Sequence, residues 1–124
     1  MSLGRVLVVD DDEEIRGTLG AVLQAEGFDV LEARNGLHAL QQLLLHPLPD
    51  LILLDMMMPV MTGFEFLSMQ QEDPRICAIP VVAVTVHAKV AEIRGVRRLV
   101  RKPFDLDELL LVIREVLAPA RPLT

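Results

Sequence analysis

At 124 residues, 52% hydrophobic but only 3% aromatic, the chain suits one domain with a core of Val, Leu, Ile and Met. A net charge of −6 argues against nucleic acid as a direct partner, and no apolar stretch reaches the ~18 residues of a membrane span. A single cysteine, Cys77, excludes an internal disulfide and fits a reducing cytoplasm, and no basic-then-apolar leader opens the chain.

"RVLVVD" (5–10) reads as a fully buried strand. "EEIRGTLGAVLQAEG" (13–27) follows as a helix with Ile15, Leu19, Val22 and Leu23 on one face, Asp12 as its cap and Gly27 as its stop. "FDVLEA" (28–33) is a second strand, and "NGLHALQQLLLH" (35–46) a helix capped by Asn35 and ended by Pro47. "DLILLD" (50–55) is the third strand. "TGFEFLSMQQ" (62–71) opens with Thr62 and Glu65 at capping-box spacing. "IPVVAVT" (79–85) is the fourth strand, a short helical segment spans roughly 87–94, and "RLVRK" (98–102) is the fifth strand. "DLDELLLVIREVL" (105–117) closes the domain, with Asp105 and Glu108 as another capping box. The expected domain is 1–118, with 119–124 a Pro-containing tail or the start of a linker.

Strands alternating with helices predict a parallel α/β sheet covered on both faces. The first, third and fourth strands lack polar alternation, which places them centrally. Short right-handed crossovers then favour the flavodoxin-like doubly wound order 2-1-3-4-5, whose crevice lies at the carboxyl ends of the first and third strands.

Those strand ends carry the chemistry. Asp10, Asp11 and Asp12 end the first strand, Asp55 the third, Thr85 the fourth, and Lys102 the fifth. Singly, each has an ordinary role: helix-cap acid, turn residue, strand threonine, solvated lysine. Together they fill one crevice. Crowded carboxylates repel one another, a hard divalent cation relieves that repulsion, and Mg²⁺ favours a few carboxylates, waters and a phosphate oxygen. A hydroxyl and an ammonium alongside can bind the other phosphate oxygens. The chemistry that fits is phosphoryl transfer to a carboxylate.

With "LVVDDD" (7–12), "LILLDMMMPVMTG" (51–63), "VAVT" (82–85) and "VRKPF" (100–104), the chain resembles a response-regulator receiver domain of two-component signalling over nearly its whole length. The resemblance implies that Asp55 accepts a phosphoryl group from a sensor histidine kinase or phosphotransfer protein. It implies that Asp11, Asp55 and the backbone carbonyl of Met57 bind Mg²⁺, with Asp10 acting on it through water. Thr85 and Lys102 would hold the phosphoryl oxygens, Asp12 would cap the helix, and Pro59 and Gly63 would shape the loop after Asp55. Met58 and Met61 are expected to pack beneath that loop. The Lys102–Pro103 bond is expected to be cis.

Such a domain catalyses only its own phosphorylation and dephosphorylation. The competing function is a receiver-fold interaction module not switched by phosphate. A phosphatase reading lacks a second acid two residues after Asp55, where Met57 stands, and a flavin reading lacks a phosphate loop after the first strand.

Three departures from the family pattern stand out. Val86 follows Thr85 where a small residue is usual, and Leu99 stands where an aromatic is usual. Between Thr85 and Gly95 the chain is about five residues short, more than one turn at about 3.6 residues per turn, so the fourth helix is expected to be shortened. A partner protein or output domain would then dock on an unusual surface near the fifth strand and last helix. Arg94, Arg97, Arg98 and Arg101 cluster there, either as a solvated edge or as a surface for an acidic partner.

Overall fold

The computed structural model describes residues 2–86 and 93–118. Five strands, β1 (Arg5–Val9), β2 (Asp29–Ala33), β3 (Leu51–Asp55), β4 (Val81–Thr85) and β5 (Arg98–Arg101), form one parallel sheet in the order β2-β1-β3-β4-β5. The helices are α1 (Glu13–Ala25), α2 (Gly36–Leu45), α3 (Gly63–Glu72) and α4 (Leu106–Leu117). The expected sheet order is the observed one. The helical segment expected at 87–94, and with it the expected shortening, falls mostly outside the described residues, as does the tail at 119–124.

The two-residue period of a strand sends successive side chains to opposite faces. Val6 and Val8 of β1 join Leu51, Leu53, Val82 and Val84 in a layer closed by Leu19 and Leu23 of α1 and Leu109 and Ile113 of α4. Leu7 and Val9 point the other way, into a layer with Ile52, Leu54 and Ala83 beneath α2 and α3, filled by Phe66 and Met56. Each fully buried aliphatic side chain contributes roughly 1.5–3 kcal/mol, so the three central strands, buried on both faces, dominate stability. β2 and β5 are the edges, and they are the strands that carry exposed charged residues.

Helix starts follow local chemistry. The Asp12 carboxylate accepts from the Glu14 and Ile15 amides, and Asn35 from His38. Thr62 and Glu65 form the expected reciprocal box. Asp105 does not: its carboxylate accepts from the Asp107 amide, one residue short of the box position. A short Asp side chain closing a tight turn on the second helical amide replaces the expected pairing with Glu108. α1 stops at Gly27, whose φ of 102° lies in the region that favours glycine. Gln70, buried in α3, donates from Nε2 to the Ile76 and Ile79 carbonyls at 3.0 Å each and pins the connection into β4. No described helix is long and apolar enough to cross a membrane.

Candidate functional site

The parallel sheet delivers the carboxyl ends of β1, β3 and β4 to one rim. Asp10 follows β1 directly and is 3% exposed; Asp55 ends β3 and is 6% exposed. Asp11 is exposed beside them. One oxygen of each of Asp10, Asp11 and Asp55 falls within 4.8 Å of the others, and no other group of three or more such ligands occurs among the described residues. Asp12 turns away to cap α1, as expected.

Both Asp10 oxygens are occupied: Oδ1 accepts from the Asp12 amide at 2.9 Å and Oδ2 from Lys102 Nζ at 3.0 Å. Asp55 accepts from the Met57 amide at 3.1 Å and from the same Lys102 ammonium at 3.4 Å. Asp11 has no hydrogen bond or ion pair among the described residues. Burial pushes the Asp55 carboxyl up to about 6; the Met57 amide and the Lys102 charge pull it back, and the Asp10 charge adds to the rise. For Lys102, burial opposes the charge. The hydrogen bond to Asp10 and both carboxylate charges outweigh it and hold the ammonium above its usual pKa.

Lys102 is aimed from the opposite end of the sheet. Its backbone amide donates to the Thr85 carbonyl at 2.8 Å, continuing the β4–β5 ladder, and the following bond to Pro103 is cis, as expected. Thr85 is 1% exposed and ends β4 one residue past Val84, the partner of Asp55. Met57 and Val86 are exposed at the rim.

The loop after Asp55 is tightly built. The Met56 and Met58 side chains are buried and Met61 is half-buried, so all three serve packing. A Cβ on Gly63 would lie 2.7 Å from Met56 Cα and 2.8 Å from the Asp55 carbonyl oxygen, so only glycine admits this approach. Val60 has φ 71°, and the Met61 amide reaches back to the Pro59 carbonyl at 2.8 Å, a γ-turn strained for a β-branched residue.

Two participants escape a reading of the sequence. Arg16 Nη1 donates to the Asp10 carbonyl at 2.8 Å, and Arg16 Nε pairs with Glu32 at 3.3 Å. Only the six-residue spacing from Asp10 hints at this, and helices carry many such arginines. Of the arginines around β5, Arg94, Arg97, Arg98 and Arg101 are all exposed, and Arg98 pairs with Glu115 of α4 at 2.7 Å.

The donor set suits a hard cation. It offers oxygen ligands only, with one acid exposed and accessible and a second held at a raised pKa by burial. Residues 6–114 match the response regulator receiver domain family. Among curated relatives, the chain is 34% identical to Protein PilH of Pseudomonas aeruginosa, covering 94% of this chain and 99% of that one. It is 33% identical to the DNA-binding dual master transcriptional regulator RpaA of Synechocystis, covering 91% of this chain and 48% of RpaA. The chain thus spans about half the length of several relatives it matches. Among solved structures, the chemotaxis response regulator CheY4 of Vibrio cholerae superposes with a TM-score of 0.84 at 29% identity, over 93% of this chain and 99% of that one. Fold, acidic rim and sequence agree: the chain belongs to the response regulator receiver domain family.

Proposed function

We propose that this receiver is a working phosphorylation switch, with Asp55 as the acceptor. The convergence of Asp10, Asp11 and Asp55 within 4.8 Å, with Lys102 reaching two of them, carries the reading. An Asp55 oxygen attacks the phosphorus of a phosphohistidine on a histidine kinase or phosphotransfer protein. The P–N bond breaks, and its electron pair leaves with the imidazole. Asp11, Asp55 and the Met57 carbonyl would hold Mg²⁺ directly, and Asp10 through water, as the family resemblance implies. When bound, Mg²⁺ supplies the positive charge that offsets the carboxylates and the incoming phosphoryl oxygens. Lys102 and the Thr85 hydroxyl bind the remaining oxygens. The switch works in the cytoplasm, residues 1–118 are the receiver, and 119–124 are a tail or the start of a linker.

Mass spectrometry after incubation with acetyl phosphate and Mg²⁺ tests this. Wild type should gain one phosphate, and Asp55→Asn none. Phosphate retained on the variant sinks the assignment. No phosphate on either protein favours the interaction-module reading instead.

Val86, 58% exposed at the rim, is stiff and narrows access for small phosphodonors. Val86→Ala should label faster with acetyl phosphate, and an unchanged rate removes the claim. Output passes to a partner or further domain near β5 and α4. Leu99, half-buried and without a polar tip, gives the signal no aromatic route. Amide exchange with and without beryllofluoride checks this, and a large protection change centred on Leu99 would count against it.

A further inference from the structure

The backbone of Asp10 is held at both its amide and its carbonyl, the carbonyl being the group that belongs to the Asp10–Asp11 peptide. The Asp10 amide donates to the Ala33 carbonyl of β2 at 3.1 Å, and the Asp10 carbonyl accepts from Arg16 Nη1 at 2.8 Å. The Arg16 side chain is only 16% exposed, and its Nε is engaged by Glu32 of β2 at 3.3 Å. The Glu32 side chain is half-exposed, on a strand held to α2 and close to α1. The Glu32 backbone carbonyl accepts from Gln42 Nε2 of α2 at 2.7 Å, and a Cβ on Gly20, one turn after Arg16, would come within 3.4 Å of the Glu32 carboxylate. A planar guanidinium is the side chain that satisfies two acceptors on two elements at fixed angles; an ammonium is a point donor.

The plane of that peptide decides where Asp11 points. The Asp10 carboxylate has two partners of its own, whereas Asp11 has none among the described residues. Its only restraint is the backbone, held on one side at the Asp10 carbonyl by Arg16 and on the other at the Asp12 amide by Asp10 Oδ1. We infer that Arg16 is a positioning residue for the acidic cluster: with Glu32 it fixes the Asp10–Asp11 peptide so that the Asp11 carboxylate faces Asp55. The inference rests on the divalent-cation reading of that cluster.

Charge and geometry make opposite predictions. Arg16 is a cation close to a divalent-cation site, so by Coulomb's law alone its removal should tighten Mg²⁺ binding. As a positioning residue, its removal should loosen binding, by about tenfold, the low end for groups that orient metal ligands. Arg16→Lys, which keeps the charge but not the fork, should fall in between. Glu32→Gln, which keeps the carbonyl bond and removes the anion, should lose less than Arg16→Ala.

The test is Mg²⁺ titration calorimetry on wild type, Arg16→Ala, Arg16→Lys, Glu32→Gln and Asp11→Ala, with thermal melts to verify folding. Binding by wild type, its loss in Asp11→Ala and a roughly tenfold weakening in Arg16→Ala uphold the role. Binding by Arg16→Ala as tight as wild type, or tighter, overturns it and leaves the switch reading intact. No Mg²⁺ heat from wild type overturns both. If Arg16→Ala does not fold, Arg16→Lys decides: weaker binding upholds the role, and unchanged binding overturns it.

Discussion

Two loops leave the same rim of the sheet, each beginning at a buried aspartate, and they are built in opposite ways. After Asp10 the chain enters α1 within two residues, with Asp12 as cap and Arg16 gripping the carbonyl behind it. After Asp55 it takes seven residues to reach α3, over buried Met56 and Met58, through the strained turn at Val60 and past the close approach at Gly63. The first loop is held by polar contacts, the second by packing and backbone geometry. A short polar turn suits acids that must stay fixed for a cation. On the proposed function, the longer packed loop carries the acid that accepts the phosphoryl group. Lys102 is the side chain that bridges them.

Removing the bridge should have the largest effect. In Lys102→Ala the two buried carboxylates lose their shared cation, at a cost on the order of 3–5 kcal/mol while both stay charged. The sign with pH follows from Asp55. Its carboxyl is raised from 3.8 to about 6 in the folded protein, which therefore binds the proton more tightly than the unfolded chain. Asp55 thus leaves stability intact at low pH and costs stability as pH climbs from the ordinary value through about 6, on the order of 1–3 kcal/mol by linkage. Urea unfolding without divalent cations should show Lys102→Ala far below wild type at pH 8 and closer to it at pH 5. An equal gap at both would mean that the lysine does not act on the Asp55 carboxylate.

Glycine substitutions sharpen the contrast between the loops. Gly63→Ala forces a methyl onto backbone atoms and should cost about 1–3 kcal/mol. Gly17→Ala, in α1 with nothing within 4 Å of a new Cβ, should stabilise by about 0.5–1 kcal/mol. Thermal unfolding checks both, and similar shifts for the two would remove the distinction. Val60→Gly should yield the smallest change, a gain of up to about 1 kcal/mol from relieving the positive φ, partly offset by glycine's freedom in the unfolded chain. A loss of stability there would show that the valine side chain contributes more than its backbone costs.

What could be read from the sequence divides along the same line. The central position of β1, β3 and β4 was legible because strands buried on both faces leave an unbroken apolar run, and Asp10, Asp55 and Thr85 each end one, whereas Lys102 follows the charged edge strand β5. Asp12 as cap and the Thr62–Glu65 box follow from spacing alone. Arg16 and Glu32 were not legible. They sit 16 residues apart, both look like surface charges, and only the β1–β2 register brings Glu32 to the arginine that holds the Asp10 carbonyl. Asp105 and Glu108 have the spacing of a box without its hydrogen bonds, since an Asp side chain also closes a shorter turn. Val60 was invisible too, because nothing in a Pro-Val-Met run announces a positive φ.

A crystal structure with Mg²⁺ and beryllofluoride tests the central claim most directly. Predicted are a beryllium bonded to an Asp55 oxygen, the cation among Asp11, Asp55 and the Met57 carbonyl, and Lys102 Nζ moved from its 3.0 Å contact with Asp10 onto a fluorine. Beryllofluoride absent from Asp55, or bound there with the lysine still on Asp10, would contradict it.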